Sequence, residues 1–416
     1  MDAGSFLREA FTIPLRDPLW GHIYMTEGIA ALTETKAFMR LGRIFQLGPA
    51  CRVYPGATHT RFGHSIGVYH LARRLLTGLA EQSGALISRQ GAFSFLAAAL
   101  LHDLGHFPYT HSLKEIALRD HESLSAGLIR AEPQRSLVAK AGGDPELCAA
   151  IIDKTAPAGS GELLFYRRLL SGVLDPDKLD YLNRDARYCG VPYGDQDVDF
   201  IFSRLIPHPL RGVDIDSRGI PGVEALLFSK YLMYRNVYWH RQVRSATAMI
   251  KKALCAGLDA KIIRGDDLYG LDDQELFALM GKKNFAPFEL AAQVRGGRLF
   301  YEAAAFPYTA ITGLDSIAAR SEKEALLAGR LQAELGKNTG APALIIDVPE
   351  SVSFETDLFV RDEGVAFGES SSAFKKNVLD AFVGSLRIVR VFTKEPLAQP
   401  GPQGAGIAQK ILKMLA

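Results

Sequence analysis

His64, the adjacent pair His102-Asp103, and Asp177 stand in the order H…HD…D and constrain this chain more than any other feature. The pair closes a largely apolar run, Phe93 to Leu101, and precedes Leu104-Gly105-His106. Adjacent side chains on a helix diverge by about 100°. A neighbouring His and Asp therefore grip one ion only at a helix end or with ligands brought from elsewhere. His64 and Asp177 would be those ligands, so the fold would have to carry three separated segments to one point. Imidazole and carboxylate together suit iron, manganese, zinc or nickel, or else magnesium. Such a divalent ion makes a hydroxide nucleophile near neutral pH, which points to hydrolysis.

Helical patterns run from about residue 28 to residue 335. Gly63–Gly78 and Phe93–His102 carry helix-compatible apolar faces. Asp175 reads as an N-cap with Pro176 in the first turn. Ala225–Leu258 has no Pro or Gly before Gly257 and reads as one long helix. The pattern changes near 336–342; beyond it Ala343–Pro349 and Ser385–Thr393 alternate as strands around a helical stretch near Ser372–Val383. Glu395–Gly406, rich in Pro, Gly and Gln, reads as a flexible linker before a short amphipathic end, Ile407–Ala416. The expectation is a mainly α fold, with a helical core over 1–335 and a smaller α+β region over 336–416.

Apolar residues make up 48% and charged residues 23% of the chain, as in an ordinary soluble globular protein. A net charge of +2 offers no bulk attraction for nucleic acid or membrane. The longest apolar runs fall short of a membrane span, and the N-terminus has no signal-peptide core. Cys51, Cys148, Cys189 and Cys255 show no C-x-x-C spacing and suit a reducing cytoplasm.

Seven of the ten histidines fall between His59 and His121. His102 and His106 share a helix face if the helix continues through Gly105. His111, His121 and Glu122 follow, available as general acid or base. His22, His59 and His70 have no such company and read as structural. On a helix Asp177, Tyr181, Arg184 and Asp185 share one side, which presents a phenol and a carboxylate suited to a sugar hydroxyl. Lys178, at the helix N-terminus, suits a phosphate. Lys230, Tyr234 and Tyr238 form a further stripe, either a helix contact or a nucleotide-pocket wall.

Asp17–Ile23 (DPLWGHI), Arg40–Gly48 (RLGRIFQLG), Tyr54–Val68 (YPGATHTRFGHSIGV), His102–His111 (HDLGHFPYTH), Asp120–Glu122 (DHE) and Leu174–Gly190 (LDPDKLDYLNRDARYCG) resemble the HD-domain phosphohydrolases. The likeness runs from about Asp17 to Leu258 and is closest to the deoxynucleoside triphosphate triphosphohydrolases. It implies metal ligation by His64, His102, Asp103 and Asp177. It implies phosphate contacts from Arg61, His106 and Lys178, with Lys230 on the terminal phosphate, and catalytic roles for His111 and His121 beside Glu122 and Arg61. Gln46, Leu47, Tyr181, Asp185 and Tyr238 would surround the deoxyribose, with Tyr238 near the 2′ position, and Tyr234 would be a further substrate contact. A deoxynucleotide substrate, a homo-oligomer (dimer or tetramer) and, in part of the family, a nucleotide activator are also implied.

Three departures from that pattern stand out. Lys230 replaces an arginine and gives a point charge without the bidentate fork. Lys114 replaces an acidic residue near His111, and a nearby cation lowers a histidine pKa. Ile13 and Gly42 stand where regulatory basic residues are expected, while Glu34 keeps a carboxylate, so guanine-nucleotide activation does not carry over. Two rivals to a dNTP hydrolase stay open: an HD hydrolase of another phosphoester, such as a nucleoside monophosphate or cyclic dinucleotide, and a nucleotide-sensing or nucleic-acid-binding module with little turnover.

Overall fold

In the computed structural model of the chain, which describes residues 7, 11–83, 86–157, 161–335, 343–397 and 402–415, an antiparallel ribbon precedes a mainly α-helical body. The ribbon pairs β1 (Ile13–Asp17) with β2 (Gly21–Met25). Helix α1 (Arg61–Ser83) packs along α2 (Arg89–Leu101). Every residue of α2 from Gly91 to Leu101 is buried. A helix apolar on all sides has to be covered on all sides. The cover comes from α1, α4 (Pro145–Ile152) and α5 (Gly161–Leu170), with α3 (His121–Arg130) packed on α4.

Helix α6 (Pro176–Cys189) lies against α1. Its ends follow from its sequence. Asp175 accepts a hydrogen bond from the Lys178 N–H, Pro176 fills the first turn, and Gly190 closes the helix at φ 67°. The approach of α1 and α6 depends on Gly67, where a Cβ would stand 1.8 Å from Asp180 Oδ1.

The long helix expected over Ala225–Leu258 is broken. Helix α7 (Ile220–Met233) passes into a π-helical turn at Tyr234–Tyr238, and α8 (Arg241–Asp259) starts after His240. The Trp239 N–H reaches the Tyr234 carbonyl at 2.9 Å, and the Tyr54 hydroxyl donates to the Asn236 carbonyl at the break. The Tyr54 contact comes from outside the helix, and it is invisible to a propensity argument.

The expected boundary at 335/336 also shifts. Strand β3 (Tyr301–Pro307) belongs to the same antiparallel sheet as β4 (Leu344–Asp347) and β5 (Ile388–Thr393), in the order β3-β5-β4. The α+β layer therefore starts near residue 301 and includes the helix Ile317–Leu335. The Pro402–Leu415 helix begins inside the expected linker and buries Ile411 and Leu415 against this layer. Residues 336–342, where the pattern changes, and 398–401 of the expected linker lie outside the described residues.

The segment 348–358, after β4, returns to the helical body. Val352, Phe354 and Leu358 are buried in its core, and Val360 beyond them pairs in parallel with Ile215. Among the described residues no helix is long and apolar enough to cross a membrane.

Candidate active site

The end of α2 brings His102 and Asp103 together with His64 from α1 and Asp177 from the first turn of α6. His64 Nε2 is 3.0 Å from Asp177 Oδ1 and 3.9 Å from Asp103 Oδ2; His102 Nε2 is 3.7 Å from Asp177 Oδ1 and 3.3 Å from Asp103 Oδ1. Ligands bonded at about 2.0–2.2 Å to one ion stand roughly 3–4 Å apart. The residues fit a divalent cation on a further count: His102 Nε2 is buried without a hydrogen-bond partner, while Nδ1 contacts the Ala99 carbonyl at 2.9 Å. His64, His102 and Asp103 are a group of metal-competent donors by geometry.

Charge in the site favours a cation. Burial opposes protonation of His64, but Asp177 and Asp180 outweigh it and raise its pKa to about 10. Burial likewise opposes ionisation of Asp103 and Asp177, yet the first is held well below the usual carboxylate range by His106, His102 and Arg61. His102 and His64 do the same for Asp177. The field that draws a proton onto these rings draws a metal ion equally.

Asp180 was not singled out by the sequence. It is fully buried and stands 2.9 Å from His64 Nδ1. It accepts from the Trp20 indole at 2.6 Å and from Arg184, which in turn reaches Asp17. Arg184 therefore points into the core and does not share the face of Asp177, Tyr181 and Asp185 as expected. The missed signal is the i, i+4 spacing of Asp180 and Arg184, which is that of a buried ion pair as much as of an exposed one.

A cavity of about 510 Å³ opens from this centre. Arg61 lines it and donates to Asp103 Oδ2 at 2.6 Å, while its Nε is buried without a partner. His111, His121 and Glu122 lie along one wall. His111 is open to the cleft yet enclosed by protein; burial first, then Arg61, His121 and Lys114, holds its pKa well below the ordinary value. His121 Nδ1 stands 3.3 Å from Asp120, and Glu122 is paired with Lys154 at 2.7 Å.

Gln46, Leu47, Tyr181, Asp185, Tyr234 and Tyr238 line the other side. The Tyr238 hydroxyl donates to Asp185 Oδ2 at 2.6 Å, and His59 Nε2 stands 2.8 Å from Oδ1. His59, read as structural, thus braces a lining carboxylate. The π-helical turn aims both Tyr234 and Tyr238 at the cavity, their rings 5.1 Å apart. Such turns collect at functional sites.

Two expected contact residues do not line the cavity. His106 is fully buried behind Asp103, with Nε2 3.0 Å from Oδ1, so it supports that carboxylate. Lys230 is buried under segment 348–358, where it donates to the Ser353 carbonyl at 2.8 Å and pairs with Glu355 at 3.3 Å. Lys178 does line the cavity, bound to Asp175 at 2.7 Å. Glu350 and Glu355, absent from the sequence reading, line it too. Their signal lies in a contact made across the whole chain.

The HD domain family matches residues 61–172, and the HD associated region matches residues 204–376. The uncharacterized protein YwfO of Bacillus subtilis (strain 168) is 35% identical over 247 residues, which is 58% of this chain and 54% of that one. The deoxynucleoside triphosphate triphosphohydrolase SAMHD1 of Bos taurus is 43% identical over 98 residues, 23% of this chain and 17% of that one. The chain spans about half the length of the curated relatives it matches first. The crystal structure of a hypothetical protein from Aquifex aeolicus superposes with a TM-score of 0.70 at 25% identity, covering 97% of this chain and 100% of that one. The first match begins at Arg61 and takes in His64, His102 and Asp103, and the donor set fits a divalent ion. On those grounds residues 61–172 carry an HD domain, followed by an HD associated region, and the HD domain's His64, His102 and Asp103 are placed to hold a metal ion.

Proposed function

We propose that the chain hydrolyses deoxynucleoside triphosphates to the deoxynucleoside and tripolyphosphate. The observation that carries this reading is the shared cavity. The His64, His102, Asp103 and Asp177 donors and the Tyr238–Asp185 wall face one space of about 510 Å³, within the range of small-molecule pockets. A divalent ion held by those four residues would supply Lewis acidity and an acidified water.

The chain's own side chains supply the rest. Hydrolysis adds water across the bond between the α-phosphorus and the sugar 5′ oxygen, which leaves and takes a proton. Arg61 presents a guanidinium to the phosphoryl oxygens, a fixed charge that stabilises developing negative charge. Lys178 offers a second cation from the start of α6. His111, kept neutral at pH 7, is a poor proton donor. His121, partnered by Asp120, is the better candidate for protonating the 5′ oxygen. Leu47 and Tyr238 would crowd the sugar and exclude a 2′-hydroxyl, and Asp185, with spare lone pairs on each oxygen, would accept from a sugar hydroxyl.

Ion-exchange analysis of products tests this. Purified protein is incubated with each dNTP and rNTP and manganese, magnesium or iron, alongside Asp177→Ala. Tripolyphosphate and deoxynucleoside, lost in the variant, are expected; inorganic phosphate or a linear dinucleotide from other phosphoesters, with dNTPs intact, would replace the reading. One observation favours that second reading: Glu355 already engages Lys230 and stands 3.7 Å from Lys178, which suits a substrate with a shorter phosphate tail. Homo-oligomerisation belongs to the same proposal and is read by the mass in solution.

A further inference from the structure

Segment 348–358 brings a carboxylate to Lys178, which lines the cavity, and to Lys230, which is buried just behind it. Lys178 Nζ faces Asp175 at 2.7 Å and Glu355 Oε2 at 3.7 Å, and Lys230 Nζ faces the same Glu355 oxygen at 3.3 Å. Two lysines are thus met by two carboxylates, and the local charge is balanced before any substrate arrives. At the near end of the segment, Arg244 is gripped by both oxygens of Asp347, at 2.6 and 2.8 Å, and by Glu350 at 3.2 Å. At the far end Val360 pairs with Ile215.

The members of this arrangement differ in freedom. Asp347, Val352 and Phe354 are buried and anchor the segment, with Lys230 Nζ over the Phe354 ring at 5.5 Å. The Glu355 side chain is 44% exposed and faces the cavity. It can turn out without moving the backbone that carries it, since its partners are the two lysine ammonium groups and the Ser353 hydroxyl. An oxyanion between two lysines is also the position a phosphate oxygen would take.

We propose that Glu355 is a resident anion in the distal phosphate subsite and sets which phosphate-chain length the site accepts. The inference rests on the reading that a substrate phosphate binds on the Lys178 side of the cavity. A single phosphate near Arg61 and the metal donors leaves Glu355 in place. A longer tail reaches Lys230 only when the carboxylate swings out, because two anions compete for the same pair of cations. Glu355 therefore discriminates by phosphate number, acting on the tail and leaving the scissile bond untouched.

Calorimetric titration of the metal-loaded full chain with inorganic phosphate, pyrophosphate and tripolyphosphate tests this, comparing wild type with Glu355→Gln. The variant is expected to bind tripolyphosphate about tenfold tighter, because charge repulsion is lost in a partly desolvated site, and inorganic phosphate less than about twofold tighter. Adding Lys230→Gln to that variant should remove most of the gain. An equal change across the three anions, no change, or a general weakening with loss of thermal stability would overturn the proposal and make Glu355 a latch for the segment. Glu355→Ala repeats the test should the glutamine variant fail to fold. Absence of dNTP turnover in both proteins would sink the proposed substrate while leaving the anion ranking to decide Glu355. Turnover without a change in ranking would sink this inference alone.

Discussion

His64 Nδ1 lies 2.9 Å from Oδ2 of the fully buried Asp180, and that contact selects which ring nitrogen faces the metal donors. Through Arg184 the same carboxylate is joined to Asp17 in the N-terminal ribbon, so the candidate metal site is braced from a part of the chain remote in sequence.

Asp180→Asn keeps the shape and removes the charge. Partners behind a metal ligand typically contribute about 10- to 100-fold in affinity, and a loss in that range is expected in a metal titration of the full chain. Unchanged affinity would strip Asp180 of its orienting role. Thermal stability measured in parallel separates this from simple unfolding, since Arg184 also depends on Asp180.

Gly67→Ala tests the helix approach. The added methyl would stand 1.8 Å from Asp180 Oδ1 and 2.4 Å from Arg184 Nη2, and neither can retreat from its buried ion pair. Overpacking of this kind costs about 1–3 kcal/mol, with metal affinity falling too. Gly78→Ala, on the same helix with nothing within 4 Å, should instead stabilise by about 0.5–1 kcal/mol. Urea unfolding of the pair checks both signs.

Lys114→Glu addresses the proton economy of the histidine wall. Lys114 is one of the groups that hold His111 below its ordinary pKa, after burial, Arg61 and His121. The variant should titrate His111 at higher pH, which NMR of the ring protons reads directly. The stability consequence has a definite sign. With a depressed folded pKa, the unfolded chain takes the proton first, so stability is lost as pH falls below about 6.5. That acid-side loss should shrink in the variant.

Tyr238→Ala would open the wall beside Asp185. The preference for dNTP over rNTP should fall by about tenfold, because the lost ring is the barrier to a 2′-hydroxyl and steric rejection of one hydroxyl is worth up to about 100-fold. Parallel kcat/KM values for the two sugars measure it. An unchanged ratio would move the 2′ discrimination to another residue, with Leu47 the next to test.

Much of this site was legible in residue order. The H…HD…D donors are ligand types found in metal sites, and Asp175-Pro176 marks a helix start whatever surrounds it. The largely apolar run before His102 required a buried helix, and a buried helix end is where an adjacent His and Asp can reach one ion. His59 and Asp180 were harder to read. A histidine or aspartate looks the same in sequence whether it touches substrate or braces the residue that does.

What the sequence by itself determined is therefore local and chemical: the candidate metal donors, the caps, the helical character and the two C-terminal strands. The tertiary structure alone decided which cations are free. Lys230 reads as a phosphate ligand until segment 348–358, more than a hundred residues later, covers it with Glu355. It also decided where α7 ends, because the hydroxyl of Tyr54 satisfies a carbonyl at the break. Both are contacts between distant segments, and their energies depend on burial and partner geometry that no local pattern encodes.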